Sequence, residues 1–230
     1  MSRTPVAVGL AVATGILYRR FLRPWHEQWG ATLEEVGTSL PGDDLIAEPA
    51  SEATRAISID APTDAVWPWV VQIGADRGGF YSYDWLENLF GLNIHSANEI
   101  VPAWQGRAIG DLVHADAKGS GGWYVLDMQP TRALVMQMAD VKHRRPFTRD
   151  AGALMEFTWA FVLHEGTDRS TRLLVRERVA FRNAVVRFLM APIALVSFVM
   201  TQKMMRGIKE RTETRAGRSS QEDRPDRQAR

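Results

Sequence analysis

Apolar and polar residues alternate with a period of two over several stretches of the chain. Residues 55–60 place Ile57 and Ile59 on one side and Ser58 and Asp60 on the other, which predicts a half-buried strand. After Gly110 the same period returns and predicts further strands, over residues 110–115, 122–128, 132–140, 153–164 and 172–181. The second half of the chain is therefore expected to form antiparallel strands joined by tight turns.

Helical spacing of apolar residues appears in three other places. Pro62 stands early in a helix predicted over residues 63–73, at a position where its missing N–H costs nothing. A second helix is predicted over residues 82–90. The last long apolar segment, residues 183–212, predicts a helix that Pro192 kinks, with apolar positions at Val186, Leu189, Ile193, Val196, Val199 and Met200.

The N-terminal segment is also apolar. Residues 4–18 are uncharged, and Arg19, Arg20 and Arg23 follow them. The run is shorter than the roughly 20 apolar residues that span a bilayer, so three interpretations stay open: a short membrane anchor, a helix packed on the domain, or an interfacial helix. The arginines favour a cytoplasmic body if the segment inserts. We expect a cytoplasmic protein. Attachment to the inner face of the cell membrane through residues 4–22 stays open as an alternative.

These patterns divide the chain into four parts. Residues 1–23 form the apolar N-terminal segment, and residues 24–53 form a linker with a short helix, because Thr32 and Glu35 have capping-box spacing. Residues 54–213 form the compact domain. Residues 214–230 contain no large apolar side chain, which predicts a disordered tail.

Composition and charge narrow the classes of function. Hydrophobic residues make up 45% of the chain and charged residues 24%, which is typical of a foldable globular protein. The net charge of +1 gives no global field that would attract nucleic acid, and the absence of cysteine excludes disulfides and thiolate chemistry. The eight tryptophans predict either a large aromatic core or a cavity that holds a flat or hydrophobic molecule.

Two stretches carry a resemblance to a known superfamily: residues 57–67 (ISIDAPTDAVW) and residues 77–88 (RGGFYSYDWLEN). With its order of strand, two helices, antiparallel strands and long helix, the chain resembles the SRPBCC superfamily, which includes START lipid-transfer domains and polyketide cyclases. The second stretch is similar to an uncharacterised bacterial subgroup. The resemblance covers about residues 54–213 and implies an α+β helix-grip fold, in which a curved antiparallel sheet wraps the C-terminal helix and encloses a hydrophobic cavity. That fold usually has six strands after the helices, so the one not yet found is expected within residues 99–104.

The predicted strands supply candidate cavity walls. One face of the strand at 153–164 carries an apolar row of Met155, Phe157, Trp159, Phe161 and Leu163. A second row consists of Leu134, Met136 and Met138. Rows of this kind are typical either of a plain core or of a wall that contacts a ligand.

Glu177 interrupts the apolar row of the last strand, between Val175 and Val179. A carboxylate there is costly unless it is paired or exposed. It could anchor a ligand hydroxyl or act as a general acid or base. The alternative is a salt bridge at the sheet edge or with a helix residue.

The stretch 77–88 concentrates aromatic rings and polar tips. Tyr81, Tyr83 and Asp84 could orient a ligand at a cavity mouth; the alternative is an aromatic loop that plugs the end of the sheet, with Asp84 near a helix N-terminus. His95 follows in a loop where a polar ligand contact is plausible. The candidate catalytic residues are Glu177, Asp84 and His95. The candidate ligand-binding residues are Trp67, Phe80, Tyr81, Tyr83, Trp85, Trp104, Trp123, Met136, Met138, Phe157, Trp159 and Glu177.

Other kinds of site lack a motif. The five histidines are scattered, with no paired spacing typical of a metal site. The glycine pairs are not followed by the Lys-Ser/Thr of a phosphate loop, and no serine occupies a nucleophile elbow. We therefore expect no metal, no cofactor and no nucleic-acid partner.

Three functions stay open. The leading one is binding or transport of a hydrophobic small molecule, such as a lipid, a polyketide or an isoprenoid, in an internal cavity. The second is a polyketide cyclase or dehydratase type of enzyme that moves protons with Tyr81, Asp84, His95 or Glu177. The third is a membrane-attached structural protein with a filled core, which the apolar segments 4–18 and 188–200 motivate.

Overall fold

The computed structural model describes residues 17, 20 and 22–222, with side chains up to residue 217. The predicted apolar segment at 4–18 and the end of the predicted tail, residues 223–230, lie almost entirely outside the described residues. Of the N-terminal segment, Leu17 and Leu22 are described, and both side chains are exposed.

One antiparallel sheet organises the chain. Its strands are β1 (Ser51–Ile59), β2 (Leu112–His114), β3 (Gly122–Gln129), β4 (Ala133–Asp140), β5 (Arg145–Pro146), β6 (Met155–Glu165) and β7 (Thr171–Phe181). The spatial order is β1-β7-β6-β4-β3-β2, and the short β5 pairs with β4. Each strand predicted from the alternating pattern corresponds to a strand of the sheet, and the middle of β4, β6 and β7 is buried on both faces.

In the described part of the chain, five α-helices accompany the sheet. They are α1 (Arg23–Glu27), α2 (Leu33–Gly37), α3 (Thr63–Val71), α4 (Asp84–Leu89) and α5 (Ala184–Glu222). The second part of α5 packs into the main core, where Met204, Met205 and Ile208 are buried with Ile59 of β1 and Val70 of α3. A long C-terminal helix against a curved antiparallel sheet is the α+β helix-grip arrangement that the sequence predicts.

Three details differ from the sequence prediction. Residues 99–104 contain no strand: Pro102–Trp104 is a turn of 3₁₀ helix, because Pro102 pre-sets helical backbone angles, and the additional strand is β5. β1 begins at Ser51, inside the predicted linker, since it pairs along its whole length with the equally extended β7. α5 continues to Glu222, so residues 214–222 lengthen an existing helix where the composition predicts a disordered tail. Extending a formed helix costs far less than starting one.

The predicted linker is packed against the outer face of the sheet. Arg172 of β7 contacts Glu35 at 2.7 Å, and Arg176 contacts Asp43 at 2.6 Å. Glu35 also completes the predicted capping box with Thr32 at the start of α2. These buried and half-buried ion pairs fix residues 32–47 on the sheet, so the segment is part of the domain.

Candidate functional site

A cavity of about 240 Å³ lies between the inner face of the sheet and the first part of α5. We call it the first cavity. Its walls are mostly apolar and come from α1, β1, β3, β4, β6, β7 and α5; they include Ala53, Trp123, Met138, Phe157, Val179, Met190, Ile193 and Ala194. The alternation of each strand turns these side chains inward.

One ion pair interrupts this apolar lining. The guanidinium of Arg55 on β1 lies 3.0 Å from the carboxylate of Glu177 on β7, and both side chains are buried. On the helix side, Thr201 donates its hydroxyl to Oε1 of Glu177 at 2.7 Å, and Ser197 donates to Oε2 at 2.9 Å. Both carboxylate oxygens are thus engaged, which offsets the cost of burying the charge.

The arginine of the pair is held by α1 and α5. Its Nε donates to the backbone carbonyl of His26 at 2.9 Å, and its guanidinium lies 5.6 Å from the ring centre of Phe198. Burial lowers the pKa of His26, an effect that Arg55 and Arg23 reinforce and Glu27 opposes. Arg55 therefore links the N-terminal helix, the sheet and the last helix at one point.

A cluster of aromatic rings forms the next layer of the inner face. Trp123 and Trp159 have ring centres 5.3 Å apart, and Phe161 lies 4.9 Å from Trp159. Phe80 meets Trp123 edge to face at 6.0 Å, and Phe157 lies 6.3 Å from Trp159. Such edge-on and tilted contacts are the arrangement that aromatic quadrupoles favour.

A second cavity of about 260 Å³ lies on the other side of Trp123, towards α4. We call it the second cavity. It is lined by Phe80, Ser82, Glu87, Leu92, Ile94, Ala115, Trp123, Trp159, Met200, Thr201 and Met204. Trp123 belongs to the walls of both cavities, and Thr201 brings the second cavity next to the buried Glu177.

Glu87 is the ionisable group of the second cavity. It sits on α4, is only 6% exposed, and accepts a hydrogen bond from the hydroxyl of Ser82. Burial raises the pKa of its carboxyl, the nearby charge of Asp84 raises it further, and the Ser82 hydrogen bond acts in the opposite direction. Its Oε2 has no hydrogen-bond partner among the described residues.

The structure brings half of the predicted ligand-binding residues to the two cavities. Those that line a cavity are Phe80, Trp123, Met138, Phe157, Trp159 and Glu177. Met136 lies fully buried in the main core. Trp67, Tyr81, Tyr83, Trp85 and Trp104 are not among the residues that line these two cavities.

The polar residues of the 77–88 stretch have structural partners instead. The Tyr81 hydroxyl is buried and donates to the carbonyl of Trp69 at 3.1 Å, and burial raises its pKa. Asp84 accepts from both the backbone N–H and the hydroxyl of Ser96, at 2.7 and 2.6 Å, which ties the loop after α4 to the helix. The side chain of His95 is exposed. For Tyr81 and Asp84, these contacts fit the plug interpretation better than the cavity-mouth interpretation.

The charged residues Arg55 and Glu87 are among the cavity residues that were not candidates from the sequence. Arg55 has the same parity as Ile57 and Ile59, so the alternation of β1 already placed a cation on the inner face. Glu87 lies three residues after Asp84, and in the folded chain it is buried on the wall of the second cavity with Trp123 of β3 and Trp159 of β6. Within residues 22–222, no group of three or more potential metal ligands occurs.

No family model matches the sequence, and no curated protein matches it. Solved structures resemble the fold at low identity. A protein from Nitrosospira multiformis is 10% identical with a TM-score of 0.43, over 73% of this chain and 99% of that one. DynU16, from the dynemicin biosynthetic locus, is 14% identical with a TM-score of 0.40, over 69% of this chain and 47% of that one. CalU16 from Micromonospora echinospora is 17% identical with a TM-score of 0.32, over 72% of this chain and 86% of that one.

Proposed function

We propose that this protein binds a hydrophobic small molecule of lipid, polyketide or isoprenoid type between its sheet and its last helix, and that it does so at a membrane surface. The observation that carries the proposal is the first cavity. Protein interiors are normally packed without voids much larger than a water molecule. A cavity of about 240 Å³ with a mostly apolar wall and a buried ion pair has the character of a site for a small apolar ligand.

The membrane part of the proposal rests on the first part of α5. Over residues 184–199 the helix is apolar on nearly all sides, and its outward side chains are exposed: Val185, Phe188, Leu189, Ile193, Leu195, Val196 and Val199. A helix that is hydrophobic all round is normally buried in protein or in lipid. By length and composition α5 could also cross a membrane.

The packing of α5 favours contact with one leaflet over a full span. From Met200 onwards the helix lines the second cavity and enters the core, so residues 184–199 are the part that lipid can reach. Sixteen helical residues extend over roughly 24 Å, whereas a bilayer core is about 30 Å thick. We therefore place these residues in the interfacial region of one leaflet.

Neighbouring groups suit that position. Arg182 and Arg187 are exposed at the start of α5, where they can meet anionic headgroups. Trp25 is exposed and lies edge to face with Phe198 of α5 at 4.9 Å, and tryptophan is enriched at the membrane interface. The wall of the first cavity includes Met190, Ile193 and Ala194, so the ligand site borders the same part of the helix.

The enzyme alternative has less support. The carboxylate of Glu177 is held by a cation and two hydroxyls, which suits a structural anion better than a proton shuttle. Asp84 and His95 do not line either cavity. The two cavities count against the alternative of a filled core.

Binding is tested by filling the first cavity from the helix side. Ala194 lines the cavity, whereas the adjacent Leu195 is exposed. We expect Ala194→Trp to lower the affinity for the apolar dye N-phenyl-1-naphthylamine by about tenfold or more, and Leu195→Trp to leave it unchanged. Equal affinities for the two variants and the natural protein would show that the dye does not occupy this cavity, and so overturn the assignment.

A further inference from the structure

Three polar atoms on the walls of the second cavity have no hydrogen-bond partner in the part of the chain that the structure describes. They are Oε2 of Glu87 and the indole Nε1 of Trp123 and of Trp159. All three residues line the same cavity. Glu87 and Trp159 are 6% and 7% exposed, so neither is a surface group.

Such atoms are uncommon in folded proteins. Most buried donors and acceptors find a partner, and an unpaired one carries the cost of its lost hydration. Here the unpaired groups are complementary, since two indole N–H groups can only donate and a carboxylate oxygen can accept. The remaining lining is apolar apart from Ser82, which already donates to Glu87, and Thr201, which donates to Glu177.

We propose that the second cavity is a site for the hydroxyl end of the bound molecule. In this arrangement the ligand oxygen accepts from the indole N–H of Trp123 or Trp159, and the ligand O–H donates to Oε2 of Glu87. The inference rests on the proposed function, because it names the polar group that the hydrophobic ligand carries. It selects a long-chain or polycyclic alcohol from the lipid, polyketide and isoprenoid classes.

The chemistry of the wall separates an alcohol from related ligands. An ether oxygen accepts from an indole but has no proton to give to Glu87. A carboxylate ligand would place a second negative charge beside Glu87, in a site where Asp84 is already close enough to raise the pKa of Glu87. An alkane would leave all three polar atoms unpaired. Of these four kinds of ligand, only the alcohol both donates and accepts.

The test compares 1-decanol with its methyl ether, 1-methoxydecane, by displacement of N-phenyl-1-naphthylamine from the full chain. We expect the natural protein to bind the alcohol about tenfold more tightly, which is the factor expected for one hydrogen bond to a charged or buried group. Glu87→Met removes the acceptor that only the alcohol can use, and should bring the ratio to about threefold or less. Trp159→Phe removes an indole donor that both compounds can use, so it should weaken the binding of both and leave the ratio unchanged. Trp85→Phe changes an exposed tryptophan outside the cavity and should leave the ratio unchanged.

A further variant guards against a simple packing effect. Glu87→Gln keeps the shape of the side chain and removes its charge, so it should raise the affinity for decanoate relative to decanol. Thermal melting of each variant shows whether it is folded at the assay temperature, and a folded Glu87→Gln that does not change the decanoate preference counts against the proposal.

The outcomes separate this inference from the function on which it rests. If decanol and its ether displace the dye equally well, the hydroxyl site is overturned while hydrophobic binding stands. If neither compound displaces the dye, and the dye itself does not bind, the proposed function fails and this site fails with it. If the alcohol preference survives in a folded Glu87→Met protein, the hydroxyl is recognised elsewhere and the assignment to the second cavity is wrong.

Discussion

Arg55 and Glu177 lie on the neighbouring strands β1 and β7 and meet at 3.0 Å beneath the last helix. The hydroxyls of Ser197 and Thr201 complete the environment of the carboxylate from α5. The buried carboxylate of Glu177 on β7 thus has partners on β1 and on α5, and these contacts connect α5 to the sheet at one position. This arrangement also forms part of the wall of the first cavity, which includes Arg55, Glu177 and Ser197.

Removing one partner of this pair should be strongly destabilising. We expect Glu177→Leu to lower the free energy of unfolding by about 3–5 kcal/mol, because it leaves the cation of Arg55 buried and unpaired. The double variant Arg55→Leu/Glu177→Leu should be less destabilised than the sum of the two single changes. Chemical denaturation of the four proteins measures both quantities.

The matched control is an exposed pair on α5. Lys203 and Glu210 lie 4.0 Å apart, and the Glu210 side chain is largely exposed. Glu210→Leu should change stability by less than about 1 kcal/mol. A Glu177→Leu protein as stable as the Glu210→Leu protein would contradict the role given to the buried pair.

Two glycines of α5 should respond to alanine in opposite directions. A Cβ at Gly207 would lie 2.3 Å from the carbonyl oxygen of Tyr81, so Gly207→Ala should cost about 1–3 kcal/mol of stability. A Cβ at Gly217 meets nothing within 4 Å, and Gly217→Ala should stabilise the helix by up to about 1 kcal/mol. Thermal melts of the two variants give the comparison. Similar melting temperatures would mean that α5 does not approach Tyr81 this closely.

The carboxyl of Glu87 should make stability depend on pH. Burial raises its pKa in the folded protein above the ordinary value of 4.5, so the folded state holds its proton more tightly than the unfolded state. This contribution to stability is fully present below pH 4.5 and is lost as the pH rises through the folded-state pKa. The melting temperature of the natural protein should therefore fall relative to that of Glu87→Gln as the pH rises from about 4 to 7. A constant difference across this range would contradict the buried position of Glu87.

The exposed apolar part of α5 should carry the membrane contact. Phe188 and Leu189 are 80% and 62% exposed on residues 184–199, and burial of each in lipid contributes about 1.5–3 kcal/mol. We expect Phe188→Glu/Leu189→Glu to reduce binding of the full chain to phosphatidylglycerol vesicles by at least about tenfold in a co-sedimentation assay. Leu33 on α2 is 83% exposed and lies far in sequence from residues 184–199. Leu33→Glu should therefore have little effect on vesicle binding. Equal loss in both variants, or in neither, would place the contact elsewhere.

Part of the site could be predicted from strand alternation alone. The inward positions of Trp123, Met138, Phe157 and Trp159 follow from a period of two. The interruption at Glu177 left a ligand anchor, an acid–base group and a salt bridge open, and the structure shows a salt bridge with Arg55. The same parity placed Arg55 inward with Ile57 and Ile59. The partner was therefore present in the pattern, but pairing β1 with β7 requires the topology of the sheet.

The rest depends on how helices dock, which periodicity does not determine. The apolar positions of α5 predicted a helix, yet Leu189 and Val196 are exposed. Ile193, in contrast, lines the first cavity together with Met190 and Ala194. On a helix that is apolar all round, no polar face marks the outer side. The burial of Glu87 likewise arises from the placement of α4 at the end of the sheet, which local sequence does not encode.

Native mass spectrometry of the protein purified from its host, followed by organic extraction, shows whether the chain holds a hydrophobic molecule between sheet and helix. We expect a stoichiometric apolar companion that carries a hydroxyl group and is lost in Ala194→Trp. A protein that is isolated empty and also fails to bind a panel of lipids, polyketides and isoprenoid alcohols would contradict the proposed binding.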